Sequence, residues 1–355
     1  MSFVSRALSA SLLLLMSAWL SIATVQAEEA PEVIRIGVPD LSTRNKPYAP
    51  GALGIAQRQH QLEEAFASRG TRIEWHFFRG AGPAINEALA NGQLDVVGLG
   101  DLAAIIGRSG GLKTRVLMGS RGSNMFLASR PEANIARVED LKGKRIALYR
   151  GTADQLSFGR LLAEAGLREQ DLKITSLDWS AAAAALLAGQ VDATWSNFNV
   201  LSLRDKGMAI PLSTQTLSPH ATVQGTTLAT QDFIDRYPQA TQTLVDVLVD
   251  IAGSLSEPVG YQQYLVGQEQ ASGIPVALAK EESKGADLRF RSSPRLDSFL
   301  TASLEESLRQ AHELRLVRRQ FDVTQWLEPR FVEQSIARHG ASPWPRYDAQ
   351  GKAQP

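Results

Sequence analysis

A ten-residue segment of this chain has a counterpart, without a gap, 97 positions further on. Ala88-Leu89-Ala90-Asn91-Gly92-Gln93-Leu94-Asp95-Val96-Val97 matches Ala185-Leu186-Leu187-Ala188-Gly189-Gln190-Val191-Asp192-Ala193-Thr194 at five of the ten positions. Both segments read as the end of a helix, a glycine that caps it and a strand. Helix–glycine–strand joins commonly look alike, which is one explanation. The other is a single α/β lobe built twice, since the offset suits a lobe and is too long for a solenoid repeat.

The flanking sequence fits such a unit. Val33-Ile34-Arg35-Ile36-Gly37-Val38 reads as a buried-type strand, followed by a turn-rich loop, a helix near Ile55 to Ala67 and a strand from Ile73 to Phe78. Gly80-Ala81-Gly82-Pro83 leads into a helix over Ala84 to Asn91, with proline in the first turn, which tolerates it. Leu94 to Val97 is the third strand. A second series begins near Asn124-Met125-Phe126-Leu127. It runs through strand Arg145 to Tyr149, helix Thr152 to Ala165, strand Lys173 to Leu177, helix Ala181 to Ala188 and strand Val191 to Trp195. Val223 to Leu228 is expected to return to the first lobe. Beyond Thr230 the 3.6-residue period predicts helices over Gln239 to Ala252, Val259 to Gln270 and Leu296 to Arg319. Strands alternating with helices at these lengths mean α/β units around mostly parallel sheets. The tail after Trp344 reads as frayed.

The first 27 residues have the three parts of a cleaved secretory signal. Arg6 is the only charge before Glu28, an apolar run extends from Leu12 to Ile22, and Val25-Gln26-Ala27 supplies small residues at the cleavage positions. The apolar run is shorter than the roughly 20 residues a spanning helix needs. Cleavage leaves 328 residues (355 minus 27), enough for two lobes, with a net charge of −1 (36 basic minus 37 acidic). No long basic block is present, which argues against nucleic acid and anionic membrane as partners. The chain has no cysteine, so it lacks a lipoprotein acceptor, a disulfide and any thiolate metal site. A freely diffusing periplasmic protein, monomeric, is the expectation.

Catalytic motifs fail on their context. Gly98-Leu99-Gly100-Asp101-Leu102-Ala103 fits the dinucleotide pattern G-x-G-x-x-A, but it follows the third strand and lacks the acid about 20 residues later. Gly107-Arg108-Ser109-Gly110-Gly111 fits G-x-S-x-G but ends a helix, whereas a nucleophile elbow joins strand to helix. The five histidines, at 60, 76, 220, 312 and 339, form no metal spacing, so no metal or cofactor is expected. What recurs is a glycine-marked entry into a helix after a strand, at Gly80-Ala81-Gly82-Pro83, Gly98-Leu99-Gly100-Asp101 and Arg150-Gly151-Thr152-Ala153. Helix N-termini carry unpaired N–H groups and partial positive charge, so three converging on one cleft would make an anion site. Thr152 either donates its hydroxyl to a ligand or caps its helix. Asp101 either caps or accepts from a ligand amine, and Trp195 is either cleft lining or core.

In the order and spacing of these segments the chain resembles the substrate-binding proteins of ABC importers for aliphatic sulfonates, taurine and nitrate, with their thiamine-precursor-binding relatives. The carrying residues are Gly80 to Ala84, Glu87-Ala88-Leu89, Gly92 to Asp95 and Gly98 to Asp101. In the second series they are Asp140 to Ala147, Arg150-Gly151-Thr152 and Gly189 to Ala193. The resemblance implies a type II periplasmic-binding-protein fold: two α/β lobes joined by two crossovers, with a ligand cleft between them. Lobe I would comprise residues 32–125 and 229–340, lobe II residues 126–228, and residues 341–355 a flexible tail. The implied ligand is a small anion, passed to an inner-membrane permease. By position Gly82, Gly100, Asp101 and Thr152 fall where such proteins line the cleft, and Trp195 and Asn197 join them as candidates. Two departures touch the cleft. Trp195-Ser196-Asn197-Phe198 replaces a Trp-Asp-Pro-aromatic run, and the stretch from Leu41 to Gly51 is longer than usual. The rival expectations are a sensor partner of a membrane receptor and an enzyme on the same fold using Asp101 or Asp154.

Overall fold

The computed structural model describes residues 30–42, 46–338 and 343–354; the segment expected to be a secretory signal lies outside them. Two five-stranded sheets organise the chain. In the first, β1 (Val33–Pro39) lies parallel between β2 (Arg72–Phe78) and β3 (Val96–Gly100). In the second, β6 (Arg145–Leu148) lies parallel between β7 (Lys173–Ser176) and β8 (Ala193–Ser196). The remaining pairings are antiparallel. β10 (Val223–Thr230) enters the first sheet between β3 and β4 (Thr114–Ser123), and β5 (Phe126–Ser129) enters the second between β8 and β9 (Ala209–Ser213). The sheets are thus mixed rather than mostly parallel. The strand that brings the chain across from the other sheet runs against its hosts.

The matched decapeptides end on equivalent strands. Ile36 pairs with Val96 and Ile146 with Ala193. The aspartates at the head of β3 and β8 do the same work twice. Asp95 accepts from the Arg35 backbone N–H at 2.8 Å and from its guanidinium at 2.8 and 3.0 Å. Asp192 accepts from the Arg145 backbone N–H at 2.8 Å and from its guanidinium at 2.6 Å. The Arg145 bond holds the Asp192 carboxyl below its usual range. One lobe plan is built twice, so the likeness of these segments extends beyond a common turn.

Helices cover both faces of each sheet. In the first lobe Ile34, Ile36 and Val38 pack toward α1 (Gly51–Arg58), α2 (Gln61–Ala67), α8 (Pro238–Leu255) and α14 (Pro329–Arg338). Val97 and Leu99 pack toward α3 (Ala81–Ala90), α4 (Asp101–Ser109), α12 (Ser298–Glu313) and α13 (Val323–Trp326). Alternation along β5 sends Leu127 toward α5 (Ala153–Glu164), and Phe126 and Ala128 toward α6 (Trp179–Leu187). α7 (Gln231–Arg236), α9 (Pro258–Ser272), α10 (Val276–Glu282) and α11 (Leu288–Ser292) complete the set.

Several expectations are corrected. The helix near Ile55 starts at Gly51 and breaks at Gln59-His60, where His60 takes φ +55° and redirects the chain so that Leu62 and Phe66 reach the core. The helix expected to reach Arg319 ends at Glu313. Arg315 adopts φ +58° there, and the Ala311 carbonyl takes up the N–H of Leu316. Strands β4 and β9 were not anticipated. Nor is the described part of the tail frayed. Trp344 and Tyr347 are buried, Tyr347 N–H donates to Asp297 at 3.1 Å, and a bridge joins Tyr347 to Ala353. No helix among the described residues is long and apolar enough to cross a membrane.

Candidate functional site

A cavity of about 390 Å³ lies where the two sheets face each other. Three helices point their N-termini at it, α3 and α4 from the first lobe and α5 from the second. Their approach depends on missing side chains. A Cβ on Gly82 would lie 2.3 Å from the Ala103 Cβ, and one on Gly100 would lie 2.7 Å from the Ala153 Cβ across the cleft. None of the three N-cap residues, Gly80, Gly100 and Thr152, gives its helix a side-chain hydrogen bond. The positive ends of three helix dipoles therefore face the same space, although the Asp101 carboxylate takes up the Leu102 N–H at 2.8 Å at the start of α4. Ala81, buried in the wall, adopts φ +47°, a left-handed conformation that costs a non-glycine residue about 1 kcal/mol. That turn aims the start of α3 into the cavity.

Four of the six anticipated residues line the cavity: Gly82, Gly100, Thr152 and Asn197. The Thr152 hydroxyl takes neither expected role. It donates to the Tyr149 carbonyl at 2.7 Å, leaving its backbone at the head of α5. The Asn197 side chain accepts from the Asn199 N–H at 3.0 Å. Asp101 and Trp195 lie behind the wall. Asp101 is fully buried and accepts from Ser307 Oγ at 2.9 Å and Arg160 at 3.3 Å, which ties the first helix turn of one lobe to a helix of the other. Trp195 is 1% exposed and packs on Phe158, because its position on β8 faces the α5 layer.

The rest of the wall comes from residues that the glycine pattern did not mark. Tyr261, Tyr264, Leu265 and Gln268 line the cavity from α9. Their i, i+3, i+4, i+7 spacing puts them on one face, and a glutamine inside that stripe was the available signal. Gln268 is 3% exposed, and its amide nitrogen has no hydrogen-bond partner among the described residues. The long segment also contributes, through Leu41 and the stretch from Ala49 to Gly51. Charges in the wall are mostly neutralised within it. Arg121 pairs with Asp297 at 3.0 Å, and Arg291 forms a two-pronged bond to Glu282 at 2.8 and 2.9 Å. Asp154 differs: it accepts from Trp179 Nε1 at 2.7 Å, and burial pushes its carboxyl up to about 7. No group of three or more potential metal-ligating side chains occurs among the described residues.

Comparison with known proteins agrees with this geometry. The NMT1/THI5-like family profile matches residues 79–250, which includes all three helix entries. A protein of Escherichia coli (strain K12) named for binding aliphatic sulfonates is 31% identical over 199 residues, 54% of this chain and 58% of the relative. The chain thus matches less than two thirds of that relative's length. Among solved structures, the periplasmic sulfonate-binding protein SsuA from Methylobacillus flagellatus KT is 27% identical with a TM-score of 0.77, covering 90% of this chain and 98% of its own. The desulfurization enzyme DSZB, 17% identical with a TM-score of 0.63 over 87% of this chain and 99% of its own, is alike in fold alone. The doubled α/β plan, the three helix entries around one cavity and these likenesses agree: residues 79–250 are similar to the NMT1/THI5-like family, and the chain has the two-lobed periplasmic-binding-protein fold.

Proposed function

We propose that this protein is the solute-binding component of an ABC-type importer, and that it holds an organic sulfonate between its lobes. The observation that carries this reading is the convergence on one cavity of three helix N-termini, from both lobes, whose N-cap residues give no side-chain hydrogen bond. Such a site neutralises an anion with N–H groups and dipoles, and needs no free cation. A cavity of about 390 Å³ falls in the range of sites for organic ligands and far exceeds a nitrate ion, so the ligand carries a sizeable carbon part. Tyr261, Tyr264 and Leu265 supply apolar surface for it. The likeness to a periplasmic sulfonate-binding protein supports release to an inner-membrane permease and a periplasmic location reached through the predicted signal. The ligand is handed on unchanged.

Calorimetry against hexanesulfonate, taurine, nitrate and sulfate tests this reading. Hexanesulfonate is expected to bind at least tenfold more tightly than nitrate, and to be recovered intact. Failure of every sulfonate to bind would remove the reading.

A further inference from the structure

Asp154 stands apart in the cavity wall. It sits in the first turn of α5, 6% exposed, beside the N-terminus that faces the cavity. Its carboxyl accepts from the indole N–H of Trp179, itself a wall residue, and from its own backbone N–H. The charged groups around it are already engaged. Behind it Asp101 is bonded to Arg160 and Ser307. Along the outer edge Tyr149 packs edge-on against Trp179, and Asp178 caps α6 through the Ala181 N–H. The remaining wall charges are the Arg121–Asp297 and Glu282–Arg291 pairs. Asp154 is therefore a carboxyl without a cationic partner among the described residues, in a cavity built to attract negative charge.

We propose that anion capture is coupled to uptake of one proton at Asp154, which makes this residue a pH-dependent specificity determinant of the cleft. The inference rests on the reading that the cavity holds an anion. As a carboxylate, Asp154 competes for the field of the α5 N-terminus and repels the ligand in a low-dielectric space. As a carboxylic acid it loses that charge and gains an O–H that can donate to a ligand oxygen. The proton comes from solvent and forms the O–H bond of Asp154; no other bond changes. Burial already holds the free group at about 7, so the exchange occurs in the neutral range. Below that value the acid is preformed and affinity is flat. Above it each bound anion must bring a proton, and affinity falls by up to about tenfold per pH unit.

The test is calorimetry of hexanesulfonate binding to the full chain and to Asp154→Asn between pH 5.5 and 9, at fixed ionic strength, in phosphate and in Tris. Expected is a wild-type Kd that is flat below pH 6.5 and rises about tenfold per unit above 7, with a heat that differs between buffers by one proton. Asp154→Asn should bind with the same Kd throughout, and at pH 9 about 100-fold more tightly than wild type. Wild-type binding that is independent of pH and buffer overturns the inference and leaves the sulfonate reading intact. Absence of hexanesulfonate binding by both proteins at every pH overturns that reading and the inference with it. Taurine in a parallel titration guards against the opposite role. If its binding strengthens as pH rises through 7 and is lost in Asp154→Asn, the carboxylate seats an ammonium and the inference is wrong. The buffer-dependent heat of wild type stands even if the variant fails to fold.

Discussion

Arg121 is 2% exposed, yet its guanidinium lies among Phe290, Phe299 and Tyr347 and donates to both oxygens of Asp297 at 3.0 and 3.1 Å. Asp297 also caps α12 through the Leu300 N–H and holds the tail through Tyr347. Removing one partner strands the other charge, so Asp297→Ala is expected to cost about 3–5 kcal/mol in urea unfolding. Asp154 leaves a stability signature as well. Its folded value of about 7 lies above the usual carboxyl range, so the folded chain keeps a proton that the unfolded chain releases. That contribution is complete below about pH 4 and is lost as pH rises through 7. Unfolding midpoints of Asp154→Asn should match wild type near pH 4 and exceed it at pH 8. Neither carboxylate could be assigned from the linear chain. Asp101 drew attention by following a glycine pair, whereas burial of Asp154 without a cation depends on Trp179, 25 positions away.

Among the elements, the strand–glycine–helix joins were legible because helix caps and turns are local events. A glycine that must admit a neighbouring backbone is visible in sequence, although the neighbour is not. Gly100 shows the difference: its Cα faces Ala153 of the other lobe at the head of α5. Gly100→Val should hold α4 and α5 apart, lowering hexanesulfonate affinity at least tenfold while far-UV circular dichroism and the unfolding midpoint stay close to wild type. Equal affinity would mean that the two helix ends need not meet for binding. The α9 wall escaped notice for the converse reason. Its residues are periodic, and periodicity reports that a face is buried without saying whether protein or ligand covers it.

Across the whole molecule, the chain passes between lobes at Asn124-Met125 and again at Thr222, each between a strand or turn of one sheet and a strand of the other. A third connection braces the first. Glu282, at the end of α10, accepts the Asn124 N–H at 2.7 Å, Asn124 returns a bond to the Glu282 carbonyl, and Leu278 packs against the second-lobe core. Arg204 of the second lobe reaches Glu281 at 2.7 Å, an exposed pair that salt will screen. These contacts are consistent with lobes that close by bending at the crossovers, with α10 following. Small-angle scattering should record a smaller radius of gyration when hexanesulfonate is added; binding without compaction would rule out closure. The amino-acid sequence alone determined the α/β alternation, the doubled lobe and the three glycine-marked helix entries, because propensity, capping and strand period act over a few residues. Tertiary structure decided which of those entries meet, that α9 and the long first loop wall the cavity, and that Asp154 is left there without a cation among the described residues. Those outcomes depend on contacts between segments up to about two hundred residues apart, where local preference carries no information.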